Sequence, residues 1–303
     1  MTAFARPDNY DDLRALFKKG DDERDKDLPT HIPEVERIDN LSYGPDSKWN
    51  LLDIYLPSQR SGKVPTIISV HGGGWVYGTK ETYQFYCMSL AKEGFGVVNF
   101  NYRLGPEVAF PGIIDDIDLL MHWLEKNAGN YQLDLSNTFM IGDSAGAQMA
   151  AQYLTIMTND TYRQKFGYNE VNFKIKAAAL NCGAYFINYP DVLDGSMRGY
   201  FTEEVMHKYD EILHTENFIT QDFPKTYLVT SNQDFLRDCT VRFDGFLTGK
   251  EIAHEFHTYG DEDNPKPHDF HCNIKDNVAQ NCNHLEMEWF KPVSYTHLTL
   301  PTN

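Results

Sequence analysis

The 303-residue chain predicts an α/β fold: a mostly parallel central sheet flanked by helices, with a cap insertion. Three observations predict it. Strand-like and helix-like stretches alternate along most of the chain, as parallel strands require, because a helix usually makes each crossover. Gly142-Asp-Ser-Ala-Gly146 stands between a short apolar run, Asn137–Ile141, and a small-residue apolar stretch, Ala145–Met157, that suits a helix. His71-Gly-Gly-Gly-Trp75 closes a second strand-like run, Thr66–Val70.

In chain order, residues 1–35 are charged and broken, with Asp21–Asp27 reading as a solvated helix or loop. Strands are expected over Glu36–Leu41 and Leu51–Leu56, and the turn-rich Ser42–Ser47 between them makes that pair antiparallel. Strand Thr66–Val70, helix Thr82–Lys92 and strand Gly96–Tyr102 follow. In a helix over Ile113–Lys126, Ile113, Ile117, Leu120, Met121 and Leu124 share one face, with Asp115, Asp116 and Glu125 away from it. After the Gly142–Gly146 turn, strands are expected at Ile175–Ala184, Thr226–Thr230 and Ile252–Tyr259, and a closing helix at Asn273–Phe290.

Residues 186–222 break the alternation with several aromatics among acidic residues. An insertion of this length reads as a cap over an active site, with 1–35 as a second cap element. The alternative is a surface excursion with its own small core. No repeat or linker divides the chain, so one domain is expected over 1–292. Val293-Ser-Tyr-Thr-His-Leu298 resembles a translated sequencing adapter, so 293–303 are expected to be a non-native tail, with the natural C-terminus missing.

Composition bounds the function. Apolar residues at 41% and charged residues at 23% fit a soluble globular protein. No run of 18 apolar residues exists, so no membrane span is expected. Five scattered cysteines read as reduced thiols, and the start lacks the basic and apolar regions of a secretory signal; both predict the cytoplasm. A net charge of −17 argues against nucleic acid or an anionic membrane as partner. Oligomeric state is not legible.

A strand turning sharply into a helix over G-x-S-x-G holds its serine at the tip of the turn, which makes Ser144 the candidate nucleophile. A serine hydroxyl needs a base to take its proton, and the base needs a carboxylate to orient it. With this elbow the chain order is serine, acid, histidine. Asp234 lies in the loop just past Thr226–Thr230, where the acid belongs; Asp238 would enter the next helix, and capping a helix is the ordinary use of either. His268 lies in the loop after the next strand, whereas His271 would start the final helix and His254 and His257 lie within the strand. Backbone N–H groups of Gly73, Gly74 and Ala145 would form the oxyanion hole, and Gly72 would carry the turn. Trp75 and Tyr77 would wall the acyl pocket or serve as ordinary core aromatics. His268, His271, Cys272, Cys282 and His284 include zinc-ligand types, but their spacing matches no regular zinc pattern, so no metal is expected.

These residues resemble the hormone-sensitive-lipase-like esterases of the α/β-hydrolase fold. The likeness rests on His71–Trp75, Asn101-Tyr-Arg-Leu-Gly-Pro-Glu107, Phe110-Pro111, Gly142–Gly146, Asp234–Asp238 and His268–Phe270, and spans about residues 50–290. It departs at Asn101, where Asp is usual, at Phe235, where Pro is common, and at Asp269, which replaces the Gly that usually follows the histidine. The resemblance implies a cofactor-free serine carboxylesterase acting on small or short-acyl esters, with a cap shaping its pocket. Leu52-Asp-Ile-Tyr-Leu-Pro57 is also similar to relatives that deacylate plant polysaccharides, which keeps a sugar-ester deacylase of acetyl or feruloyl type open. An amidase or peptidase, and a non-catalytic ligand-binding module on the same scaffold, are the other readings.

Overall fold

In the computed structural model of the chain, which describes residues 9–189, 192 and 198–294, eight strands form one sheet in the order β1-β2-β4-β3-β5-β6-β7-β8. The strands are β1 (Val35–Ser42), β2 (Leu51–Pro57), β3 (Val64–Val70), β4 (Gly96–Phe100), β5 (Leu133–Asp143), β6 (Ile175–Asn181), β7 (Lys225–Ser231) and β8 (His254–Tyr259). Both pairings of β2, with β1 and with β4, are antiparallel; every other pairing is parallel. The predicted α/β class and the antiparallel start therefore hold. The strand β5 begins earlier than its apolar run suggests, because Val64 and Pro65 pair with Leu133 and Asp134 before a register shift.

The helices are α1 (Tyr10–Asp25), α2 (Lys80–Lys92), α3 (Gly112–Asn127), α4 (Ala145–Thr158), α5 (Asp160–Phe166), α6 (Glu203–Lys208), α7 (Asp210–Leu213), α8 (Arg237–Gly249) and α9 (Asn277–Ser294). They cover both faces, which explains why the central strands read as nearly continuous apolar runs. Successive residues of a strand serve opposite cores. Ile67, Phe139 and Ile141 pack with Tyr86, Leu90, Met287 and Phe290 of α2 and α9. Ile68 and Met140 pack with Ile117, Met149 and Phe243 of α3, α4 and α8. Among the described residues no helix is long and apolar enough to cross a membrane. The residues expected to be a non-native tail lie outside the described ones, apart from 293 and 294.

The apolar face of α3 is as predicted, with Ile113, Ile117, Leu120, Met121 and Leu124 buried, but Asp116 is buried with them. Its carboxylate accepts from Arg103 Nε (2.9 Å), the Arg103 backbone N–H (2.8 Å) and Asn50 Nδ2 (3.2 Å). Helical spacing makes Asp116 a neighbour of both Ile113 and Leu120, and a partner outside the helix neutralises the charge there. Removing one side of a buried pair strands the other, so Asp116→Ala is expected to destabilise the fold by about 3 kcal/mol. The urea midpoint at pH 7 measures it.

The described part of 186–222 packs against several elements around the sheet. Tyr200 Oη accepts from the Ile113 N–H (3.1 Å), the Phe201 ring stands edge-on to Trp75 at 5.0 Å, and Phe218 stacks on Tyr162 at 4.4 Å. At the start of that segment, Phe186 meets Phe246 of α8 at 5.9 Å. The helix that covers the active end is α1. Arg14 fastens it, donating to the carbonyls of Val76 and Gly105 and to both oxygens of Glu107.

Candidate active site

The turn from β5 into α4 holds Ser144 at φ 52°, ψ −120°, a conformation that side chains rarely adopt. The flanking residues have to be glycine. A Cβ on Gly142 would lie 2.5 Å from the Gly146 carbonyl oxygen, and one on Gly146 would lie 2.1 Å from that of Val70. The elbow is braced by Ser144 N–H donating to the Asn181 carbonyl (2.9 Å) and Ala184 N–H donating to that of Ser144 (3.1 Å).

The loops after β7 and β8 meet the serine. His268 Nε2 shares a hydrogen bond with Ser144 Oγ (2.9 Å), and His268 Nδ1 one with Asp234 Oδ1 (2.6 Å). Asp234 also accepts from the Leu236 N–H (2.8 Å) and Thr230 Oγ1 (2.7 Å). The two loops are stitched together: Gln233 N–H donates to the Lys266 carbonyl (3.1 Å), and Ser231 Oγ to that of Pro267 (2.9 Å). Asp238 is carried into α8. His271 does not start the last helix as expected; it sits fully buried in a tight turn, Phe270–Cys272, ahead of α9. Burial holds its imidazole down at about 4, which keeps it neutral.

His71–Trp75 wraps the other side of the serine. Gly73 and Gly74 carry the turn, at φ +117° and +60°. A Cβ on Gly73 would meet the Tyr77 carbonyl oxygen at 2.1 Å. Gly72, expected to make the turn, is needed for closeness instead, since its Cβ would lie 2.5 Å from Asp143 Oδ2. Its N–H donates to Tyr83 Oη (3.1 Å), while among the described residues no hydrogen bond takes up the N–H of Gly73, Gly74 or Ala145. His71 stacks on Tyr102 at 4.0 Å and is held neutral by burial, at about 4, so it serves the loop rather than the chemistry.

A cavity of about 420 Å³ opens onto Ser144 and His268. Gly72–Gly74 and Tyr77 line one side, Phe235 and Pro267–Phe270 another, and Phe17, Asp21 and Arg24 of α1 close it over. Tyr77 stands on the wall, as anticipated, and donates to Asp21 Oδ2 (2.7 Å). Trp75 does not. Its backbone at φ 62° turns the ring into the core, fully buried, where Nε1 donates to Gln148 Oε1 (3.0 Å). Of the cap elements expected, α1 alone lines the cavity among the described residues.

Three neighbours of Ser144, Asp234 and His268 have no role that the sequence announces, although Asp143 lies in the serine motif and Asp269 beside the histidine. Tyr83 Oη donates to the buried Asp143 Oδ2, and Asp269 Oδ2 lies 3.1 Å from His268 Nε2. Burial, then the charge of Asp269, drives the Asp143 carboxyl well above the usual range. Burial opposes the charge on His268, but Asp269 and Asp234 outweigh it and hold the imidazolium up to about 10. Burial likewise opposes Asp234, yet its bond to His268 leaves that carboxylate below its usual range. The cluster weighed as zinc ligands is divided: His268 bonds Ser144 and Asp234, Cys282 lies in the core between sheet and α9, and His284 pairs with Glu93 at the surface (3.2 Å). His271 and Cys272 share their ligand distance with Asp143 instead.

Behind the elbow, Glu286 is fully buried and accepts from Asn181 Nδ2 (3.0 Å). Burial pushes it up to about 8. A carboxyl raised in the folded state binds its proton more tightly there than in the unfolded chain. Its contribution is therefore complete below the unfolded value of about 4.3 and is lost as pH rises towards 8. Glu286→Gln is expected to remove this part of the slope, so stability measured from pH 4.5 to 8 should fall less steeply in the variant.

Residues 52–236 match the BD-FAE family, a span that holds Ser144 and Asp234 but ends before His268. Esterase LipQ of Mycobacterium tuberculosis is 30% identical over 184 residues, covering 58% of this chain and 43% of its own. Kynurenine formamidase of Danio rerio is 30% identical over 154 residues, covering 50% of this chain and 47% of its own. The chain spans about half the length of these curated relatives, or less. Among solved structures, esterase B from Lactobacillus Rhamnosis superposes with a TM-score of 0.87 at 23% identity, covering 94% of each chain. That likeness shows the α/β-hydrolase fold.

Proposed function

This chain belongs to the BD-FAE family, in keeping with its resemblance to the hormone-sensitive-lipase-like esterases, and from that premise we propose that it is a serine carboxylesterase of small or short-acyl esters. One observation carries the reading: a single imidazole bonds Ser144 on one side (2.9 Å) and a buried carboxylate, Asp234, on the other (2.6 Å). Ser144 Oγ attacks the ester carbonyl as His268 Nε2 takes its proton, and the Oγ–C bond forms while the carbonyl π electrons move to oxygen. The N–H groups of Gly73, Gly74 and Ala145 receive that oxyanion. The carbonyl re-forms, the alcohol leaves with the proton from His268, and water then cleaves the acyl-enzyme by the same sequence. The reaction draws on no cofactor or metal.

Short acyl groups suit a cavity of about 420 Å³ on whose wall Asp21 and Arg24 of α1 place polar groups. The five cysteines are all buried and free, which supports a reducing, cytoplasmic setting. The described residues act as one domain with α1 as its lid, and the acidic surface disfavours nucleic acid as a partner.

Hydrolysis of p-nitrophenyl esters from C2 to C12 tests the proposal. Rates are expected to be highest between C2 and C6 and to fall at least about tenfold by C12, since added methylenes lose their burial in a closed pocket. A folded protein that cleaves none of them, or that prefers C12, overturns it. The likeness to a kynurenine formamidase favours one further reading, an aryl formamide substrate for the same triad. N-formylaniline cleaved faster than p-nitrophenyl acetate would select it.

A further inference from the structure

Two oxygens crowd one atom. His268 Nε2 lies 2.9 Å from Ser144 Oγ and 3.1 Å from Asp269 Oδ2. With Nδ1–H committed to Asp234, a neutral imidazole presents only a lone pair at Nε2. A lone pair accepts the serine hydroxyl well and faces a carboxylate poorly. Asp269 is nonetheless held there. It lies at φ 53° on the cavity wall, its Oδ1 is buried with no partner, and its charge acts on the buried carboxyl of Asp143, which Tyr83 grips in turn.

We propose that Asp269 is a positioning residue that competes with Ser144 for the Nε2 edge of His268. The inference rests on the triad reading above and deepens it. Once Nε2 is protonated, Asp269 becomes a good partner, so it favours the imidazolium. In the resting enzyme this withholds the base until higher pH. During the reaction the same carboxylate faces the imidazolium that forms when Ser144 gives up its proton.

The other charged or titratable groups facing His268 do not produce this effect. Asp234, from the loop after β7, sits at Nδ1 and supports the base in either state. Neutral His271 and the buried thiol of Cys182 carry no charge there. Across the cavity on α1, Arg24 is engaged by Asp21 (2.7 Å) and Asp25 (2.6 Å). Asp269 is the carboxylate at Nε2.

The test is the pH dependence of kcat/KM towards p-nitrophenyl acetate for the wild type, Asp269→Asn and Asp269→Gly, beside an NMR titration of the His268 imidazole in each. Asn and Gly both accept the left-handed backbone, so neither variant has a conformational reason to unfold. The wild-type acid limb and imidazole titration are expected above the ordinary histidine value of about 6.5, and both variants should move them down by about one unit or more. Limbs and titrations that stay in place in both variants overturn the proposal. An imidazole titration that moves in a wild type without ester hydrolysis keeps the Asp269 contact and discards the esterase reading. A residue that merely supported the fold would lower the melting temperature and leave both titrations in place.

Discussion

Ser144→Ala is expected to lower kcat towards p-nitrophenyl acetate by roughly 10⁴–10⁶ and to leave the fold intact. The size follows from what the hydroxyl does: without Oγ no acyl-enzyme can form, and only the oxyanion donors and substrate binding remain. His268→Ala should fall nearly as far, because triad members act as a unit and their losses do not add. His271→Ala should change the rate much less, since His271 is held neutral in its own turn and forms no hydrogen bond to Ser144 or Asp234 among the described residues. The backbone gives the experiment a second readout. Ser144 sits at φ 52°, ψ −120°, so Ser144→Gly should be as inactive as the alanine variant yet more stable, by about 1–3 kcal/mol of released strain. Kinetics with matched thermal melts measure both, and a Ser144→Ala protein that keeps its rate would remove the nucleophile assignment.

The second large effect is structural. Gly146→Ala lies inside α4, where helix propensity alone favours alanine by about 1 kcal/mol. Here the sign reverses. The new Cβ would stand 2.1 Å from the Val70 carbonyl oxygen and 2.6 Å from that of His71, and both are backbone atoms of the strand end that the helix must approach. A clash with backbone cannot be relieved by a rotamer change, so strand and helix must part. A loss of about 3 kcal/mol or more is expected, together with most of the activity, because the same movement displaces Ser144 and the oxyanion loop. Urea unfolding of the variant reads the stability directly. A variant as stable as the wild type would mean that the elbow is looser than its glycines imply.

The residues legible in the sequence are those announced by local patterns. Ser144 is marked by its flanking glycines, and Asp234 and His268 by their places after successive strands. The strands themselves are visible because burial on both faces keeps them apolar throughout. What stayed hidden depends on contacts between distant parts of the chain. Tyr83 and Asp143 are 60 residues apart, and no spacing rule joins them. Asp116 reads as outward-facing until Arg103 is placed beside it. Trp75 looks like a pocket residue because it follows the oxyanion glycines, but a positive φ sends its ring the other way, and sequence alone does not report a backbone angle at a tryptophan. The charged run 21–27 conceals that α1 starts at Tyr10 and lies across the catalytic cavity, because its docking relies on Arg14 and Phe17 rather than on a broad apolar face. The described rings of the aromatic insertion meet α8 and Trp75 as well as α5, contacts that its composition does not announce.

The cavity wall joins Phe17–Arg24, near one end of the chain, to Pro267–Asn273, near the other. During synthesis the first of these segments leaves the ribosome long before the second exists, at a pace of some 5–20 residues per second. Arg14 of the helix finds Val76, Gly105 and Glu107 early, but the histidine-loop side of the wall forms only after the last strand has emerged. A nascent chain stalled before that point therefore carries the elbow serine and its covering helix but not His268.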